Sequence, residues 1–259
     1  MLLLLEHMFL GIVQGLTEFL PISSTGHLVL FRKLFGLQEA GLLFDTMLHF
    51  GTLIAVVIVF WPQISYILTH PFSRLTRLLV VGTIPTAVIG LLFEDYFEEI
   101  SRTGITIGWE FLATGAILWG VESMRRGNRT FEQISYTDAL LIGTLQGAAI
   151  LPAISRSGLT IAGSLMRGIE RASAARFSFL LSLPAILGAC ALQSVKLAKS
   201  PADTSLLIPM TVGTICSALA GYVAIRWMLK IISTGSMKGF AIYVWMLGAV
   251  ILALQWLGW

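Results

Sequence analysis

The chain has 259 residues, is 56% hydrophobic and 12% charged, and carries a net charge of +3. Its mean hydropathy is +0.85. That composition excludes an ordinary soluble globular domain, in which about 25% of residues are charged. The small positive charge comes from arginines between apolar stretches, so it speaks to orientation in a membrane and not to a nucleic-acid partner.

In chain order, the first element is an apolar run from Leu2 to Leu20. No basic segment precedes Met1–Leu5, and Glu6-His7 breaks the run, which argues against a cleaved signal peptide. The run stops at Pro21-Ile22-Ser23-Ser24-Thr25-Gly26-His27, and only Leu28 to Phe35 follows. Three stretches long enough to cross a bilayer come next, near 42–61, 75–93 and 105–122. A second interrupted run, Ala139 to Leu151, breaks at Pro152 to Gly158 and resumes as Leu159 to Met166. Three more long stretches close the chain, near 173–194, 205–229 and 239–258. Cys190 and Cys216 sit inside apolar segments, with no disulfide framework or metal spacing around them.

The two interruptions are copies. Residues 14–26 return without a gap at 146–158, with identities at Gln14/Gln146, Gly15/Gly147, Ile22/Ile154, Ser23/Ser155 and Gly26/Gly158. Val81-Gly-Thr-Ile-Pro-Thr-Ala-Val-Ile-Gly90 returns as Val212-Gly-Thr-Ile-Cys-Ser-Ala-Leu-Ala-Gly221. Residues 1–259 therefore read as a single membrane domain made of two repeats, about 1–122 and 133–258. Pieces of some eight residues are too short to span, and irregular backbone at membrane depth survives only where protein or a wet cavity surrounds it. Each interrupted run is expected to be a re-entrant helix–loop–helix hairpin. One hairpin plus three spanning helices per half makes the second copy upside down. The expected fold is an all-α integral membrane protein, an inverted-topology repeat of six transmembrane helices and two re-entrant hairpins.

Short-loop charges orient it. Arg74 and Arg77, Arg125, Arg126 and Arg129, Arg167, Arg171 and Arg176, and Lys230 and Lys238 fall in one set of loops. The alternate loops hold Glu94, Asp95, Glu98 and Glu99 against Arg102, then Lys196 and Lys199 with Asp203. The first set is expected in the cytoplasm, with the first hairpin open to the outside; Lys196 and Lys199 argue the other way. Trp245, Trp256 and Trp259 read as anchors in the aromatic belt, and His7 and His70 as interfacial residues.

Chemistry concentrates at the interruptions. Gln14 and Glu18 share one helix face, and a carboxylate among Leu, Phe, Ile and Val marks a functional site by default. Ser23, Ser24, Thr25 and Gly26 open one short helix; Ser155, Arg156, Ser157 and Gly158 open its twin. Helix starts with hydroxyls and free N–H groups suit phosphate oxygens, though each hydroxyl is also an ordinary N-cap. Arg156 stands at the repeat position of Ser24, and a guanidinium matches phosphate geometry. If the hairpins meet, Ser24 is the candidate nucleophile, Glu18 or His27 its base, and Arg156 the charge stabiliser; His27 stands as the alternative nucleophile, or as the acid for the leaving group. The competing reading is a structural Arg156–Glu18 ion pair. Asp45 and His49 are weaker candidates as supporting residues. At the level of function, an inverted-repeat transporter or lipid flippase stands as the alternative to catalysis.

These residues resemble the bacterial undecaprenyl-pyrophosphate phosphatase family, also known as bacitracin-resistance proteins. The first signature of that family appears as Gln14-Gly15-Leu16-Thr17-Glu18-Phe19-Leu20-Pro21-Ile22-Ser23-Ser24-Thr25-Gly26-His27, and the second as Pro152-Ala153-Ile154-Ser155-Arg156-Ser157-Gly158. The run Ala174-Ala175-Arg176-Phe177-Ser178-Phe179-Leu180-Leu181-Ser182-Leu183-Pro184 is also similar. The resemblance implies a membrane phosphatase that removes the terminal phosphate of a polyprenyl pyrophosphate, recycling the lipid carrier of peptidoglycan. It implies Glu18, Ser24, His27 and Arg156 as catalytic residues, with Gln14, Ser23, Thr25, Gly26, Ser155, Ser157 and Gly158 binding substrate. It also implies a divalent cation, Mg²⁺ or Ca²⁺, held through Glu18, and a bacterial inner-membrane location with the active site facing outward. The lipid bilayer and the lipid substrate are the expected partners; a homodimer is left open. Ala153 stands where the family usually has Gly and is expected to tighten the loop before Arg156 and lower activity.

Overall fold

The computed structural model describes residues 2–36, 41–124, 127–197 and 206–258. Arg125, Arg126, Lys199, Asp203 and Trp259, invoked above for orientation and anchoring, lie outside the described residues. Among the described residues the structure is helical apart from one isolated bridge between Arg129 and Ile169.

The first interrupted run forms α1 (Leu2–Phe19) and α2 (Ser24–Phe35). Pro21 cannot donate a helical hydrogen bond, so α1 stops just before it. Ser23 caps α2, its Oγ accepting from the Gly26 N–H at 3.4 Å, and left-handed Gly36 (φ 68°) closes that helix. The second run forms α8 (Tyr136–Ala148) and α9 (Arg156–Met166), with Ser155 as the cap of α9. Ser135 and Asp138 make a reciprocal capping box at the start of α8.

Between and after the hairpins run α3 (Gly41–Val59), α4 (Trp61–Thr69), α5 (Arg74–Leu92), α6 (Glu94–Thr103), α7 (Ile107–Glu122), α10 (Arg171–Leu197), α11 (Leu207–Thr234) and α12 (Lys238–Trp256). Helices α1, α5, α10, α11 and α12 are each long and apolar enough to cross a membrane. Two bent pairs, α3 with α4 at 85° and α6 with α7 at 107°, bring the count to seven if each is one span. Two segments read as loops are thus helices. Pro62 begins α4 with the fixed φ that suits a first turn. Helix α6 is amphipathic and acidic, too polar to continue α7 into lipid, and Gly104 (φ 64°) turns the chain between them.

Packing pairs the halves crosswise. Helix α1, which carries Gln14-Gly15, packs on α11, which carries Val212-Gly213; α8, with Gln146-Gly147, packs on α5, with Val81-Gly82. The contacts are backbone on backbone. A Cβ on Gly11 would stand 2.2 Å from the Gly213 carbonyl oxygen, and one on Gly143 would stand 1.8 Å from that of Gly82. Lipid offers no hydrophobic gain for bringing helices together, so small residues that permit close approach supply the association. Gly11 and Gly15, like Gly143 and Gly147, form the small-xxx-small spacing this requires. Helix α7 likewise packs on α12, and α3 on α10.

The basic loops meet at one end. Buried Asp138 receives Arg129 at 2.5 Å and Arg167 at 2.7 Å, and Glu122 pairs with Arg171 at 2.5 Å. Burial alone would raise the Asp138 carboxyl. Hydrogen bonds from Arg129, Ser135 and Arg167 outweigh it and hold the group well below the usual carboxylate range.

Of the residues read as interfacial or as belt anchors, His7 is buried against protein, 1% exposed with its ring 4.3 Å from Phe44. Trp245 packs inward, over Gly115, and donates its indole N–H to the Leu112 carbonyl at 3.0 Å. Trp256 is 87% exposed.

Candidate active site

The two hairpin loops interlock. The Ser23 hydroxyl donates to the Pro152 carbonyl at 2.6 Å, and the Ser157 hydroxyl donates to the Leu20 carbonyl at 3.0 Å. Leu20 and Pro152 occupy equivalent positions of the two copies, so each loop is stitched to the other at the same place. Helix α7 clamps the second loop from outside. Glu110 accepts from the Ala153 N–H at 2.6 Å, while Thr114 donates to the Ala153 carbonyl at 3.0 Å and accepts from the Ser155 N–H at 3.2 Å.

This interlock places Glu18, Ser24 and Arg156 together. Glu18 is 7% exposed. Its Oε2 accepts from the Ser24 hydroxyl at 2.5 Å and from the Gln14 amide at 2.9 Å. Its Oε1 accepts from Arg156 Nη2, and His49 Nε2 lies 3.8 Å from Oε2. A charge taken out of water is tolerated only when paired and hydrogen-bonded, and this carboxylate is both. Arg156 keeps a second amino group, Nη1, buried with no partner among the described residues. A buried N–H donor left over beside a satisfied ion pair is a place for an incoming acceptor.

Glu18, Ser24 and Arg156 line a cavity of about 800 Å³ whose remaining wall is largely apolar and comes from α5, α6, α8 and α10. Ser23, Thr25, His49 and Ser155 also face it, as do Glu94 and Glu98 of α6.

Other expected site residues serve the scaffold. Ser155 caps α9 through Gly158 N–H at 3.1 Å, and Ser157 ties the loops. Gly26 leaves room for Phe111, whose ring tip would lie 2.6 Å from any added Cβ. Gln14, Gly26, His27, Ser157 and Gly158 are not among the residues that line the cavity. His27 in particular is turned away from Glu18: its ring nitrogens meet the Ser23 carbonyl at 2.6 Å and the Tyr243 hydroxyl at 2.8 Å. Asp45 pairs with Arg32 at 2.8 Å and does not reach Glu18. Ala153 has no positive φ, so its methyl group imposes no backbone strain; among the described residues the single non-glycine with positive φ is Ser23, at 66°. Such a conformation costs of the order of 1–3 kcal/mol and persists where surroundings impose it.

Sequence reading passed over Gln146, the counterpart of Gln14. It is 1% exposed, lines the cavity, and donates to Thr86 Oγ1 at 3.1 Å. Its place in the repeat was the available signal. No group of three or more His, Cys, Asp or Glu side chains suited to a metal ion occurs among the described residues.

The family model described as bacitracin resistance protein BacA matches residues 7–250. The chain is 55% identical over 251 residues to undecaprenyl-diphosphatase 4 of Bacillus cereus, covering 97% of each chain. It is 49% identical over 252 residues to the undecaprenyl-diphosphatase of Carboxydothermus hydrogenoformans, covering 96% of this chain and 97% of that one. To the undecaprenyl-diphosphatase of Halothermothrix orenii it is 44% identical over 248 residues, covering 95% and 96%. A match across nearly the whole chain, including both hairpins, means that this protein belongs to the bacitracin resistance protein BacA family.

Proposed function

We propose that the protein is a multi-pass membrane phosphatase that hydrolyses undecaprenyl pyrophosphate to undecaprenyl phosphate and inorganic phosphate. The observation that carries this reading is the Ser24 hydroxyl held 2.5 Å from the Glu18 carboxylate that also binds Arg156. A hydroxyl, a base and a guanidinium converging inside apolar helices suit phosphoryl transfer. A transporter needs no such convergence, and the names of the relatives favour the phosphatase.

In the mechanism, Ser24 Oγ attacks the terminal phosphorus while its proton passes to Glu18 Oε2. The bond to the departing prenyl phosphate breaks, and Glu18 hands that proton to the leaving oxygen. Water then attacks the phosphoserine, Glu18 takes its proton, the Oγ–P bond breaks, and the proton returns to Ser24. Arg156 meets the phosphate oxygens through its spare Nη1. Positioning and charge neutralisation supply the acceleration.

A divalent cation, Mg²⁺ or Ca²⁺, fits as a companion of the pyrophosphate and not as a resident ion, because Glu18 already serves Arg156, Ser24 and Gln14. Cations that lean on substrate phosphates need one or two protein carboxylates, and Glu18 would be the one here. Such an ion would neutralise charge on the pyrophosphate.

The crosswise packing of α1 on α11 and α8 on α5 supports two inverted repeats, with α1–α2 and α8–α9 as the re-entrant hairpins and six spans around them. The basic network at one end and acidic α6 at the other support a bacterial inner-membrane orientation with the cavity open outward. The test is phosphate release by purified protein from undecaprenyl pyrophosphate with Mg²⁺, repeated with EDTA. Turnover that disappears with EDTA supports both activity and cation. Absence of phosphate under the first condition overturns the reading.

A further inference from the structure

Ser23 is the residue whose backbone aims Ser24, and it holds a left-handed conformation that a serine rarely adopts. Something outside the hairpin must keep it there. Its Oγ is tied to the Pro152 carbonyl, and its own carbonyl oxygen receives His27 Nδ1 at 2.6 Å. A carbonyl carries no proton, so Nδ1 bears the hydrogen. In the neutral ring Nε2 is then bare and accepts from the Tyr243 hydroxyl at 2.8 Å. Tyr243 comes from α12, at the other end of the chain. Its ring stacks on the imidazole at 5.7 Å and 11°, and Phe111 meets the imidazole edge-on at 5.4 Å. The imidazole is 3% exposed and has no freedom left.

We propose that Tyr243 is a positioning residue for the nucleophile: through His27 it fixes the Ser23 carbonyl, and so the direction in which Ser24 presents Oγ to Glu18. The Ser23 carbonyl sets the tautomer of His27, and the Tyr243 hydroxyl, donating to Nε2, fixes the rotation of the ring, much as a partner on the outer nitrogen of a metal-bound histidine orients the inner one. Neither Tyr243 nor His27 touches the substrate in this arrangement. The inference rests on Ser24 being the attacking group.

Tyr243→Phe removes the one hydroxyl and keeps the stacked ring. The measurement is single-turnover phosphate release from undecaprenyl pyrophosphate with enzyme in excess, across a range of enzyme concentrations. A misfolded fraction raises the enzyme concentration needed for saturation but leaves the limiting rate constant alone, so the rate constant reports the geometry of the competent molecules. A mispositioned nucleophile is expected to lower that constant about 10-fold or more, with the half-saturating concentration of enzyme within twofold of wild type. A wild-type rate constant in the variant overturns the role of Tyr243, as does a change confined to the half-saturating concentration. A wild-type protein that releases no phosphate overturns instead the phosphatase reading on which the inference stands.

Discussion

Ser24 and Arg156 hold the same carboxylate from opposite hairpins: Ser24 Oγ takes Oε2 of Glu18 and Arg156 Nη2 takes Oε1. They occupy equivalent positions of the two copies, so one structural element used twice contributes first a hydroxyl and then a guanidinium. The carboxylate between them accepts a hydrogen bond from one and is the counter-ion of the other. With Glu18 as the proposed base, the catalytic and the structural readings of the Glu18–Arg156 pair describe one interaction.

Replacing either residue separates these roles. Ser24→Ala is expected to lower phosphate release by ~10³-fold or more while leaving thermal unfolding in detergent nearly unchanged, because Glu18 keeps Arg156 and Gln14. Arg156→Ala is expected to lose ~10³-fold or more in rate and also to destabilise by about 3–5 kcal/mol, since it strands a buried carboxylate. Unfolding at the wild-type temperature in Arg156→Ala would show that Glu18 does not depend on the pair.

Gly26 and Ala153 are in contact across the hairpins, where a Cβ on Gly26 would come within 3.0 Å of the Ala153 methyl and 2.6 Å of the Phe111 ring. Gly26→Ala is expected to push the loops apart, costing about 1–3 kcal/mol and most of the activity. Ala153→Gly should keep turnover within about twofold, because Ala153 needs no left-handed backbone and the change acts through the unfolded chain. Steady-state assays on both variants check the pair; a large gain from Ala153→Gly would mean the methyl group does strain the loop.

The approach of Gly143 to the Gly82 carbonyl leaves no space for a side chain. Gly143→Ala should separate α8 from α5, lower the unfolding temperature in detergent, and cost about 1–3 kcal/mol. Gly120→Ala, where an added Cβ meets nothing within 4 Å, is the control and should leave stability unchanged or slightly raised.

Asp138 ties Arg129, Arg167 and Ser135 together at the basic end. Its carboxyl is held below its unfolded value, so its contribution is present above the unfolded carboxylate range near pH 4 and lost as pH falls through the lower folded value. From pH 8 to pH 5 this group should add no pH dependence to stability. Asp138→Asn should lower the unfolding temperature at every pH in that range by a similar amount, about 1–3 kcal/mol for charge-assisted bonds. A penalty that vanishes by pH 5 would mean the carboxyl titrates higher than its partners allow.

Some of this was legible in the residues themselves. The apolar runs, their interruptions and the repeat of Gln14-Gly15 at Gln146-Gly147 required no coordinates. Nor did the inference that a buried carboxylate and a buried guanidinium belong at one site, because local composition and the cost of charge in lipid already demand it. The sequence by itself determined the apolar helical membrane class and the repeat of one polar interruption at 14–26 and 146–158. Only the tertiary structure decided which way each group faces. His27 sits among the signature residues in the chain yet points to Tyr243, Ser157 stitches the loops, and Ser155 caps α9 while facing the cavity. His49, a minor candidate in the sequence, lies beside Glu18. Orientation of that kind depends on partners distant in the chain, on Phe111, Pro152 and Tyr243, and on how closely Gly82 and Gly143 let their helices meet. Composition and period carry no record of such contacts, since they arise only when the two copies close on each other.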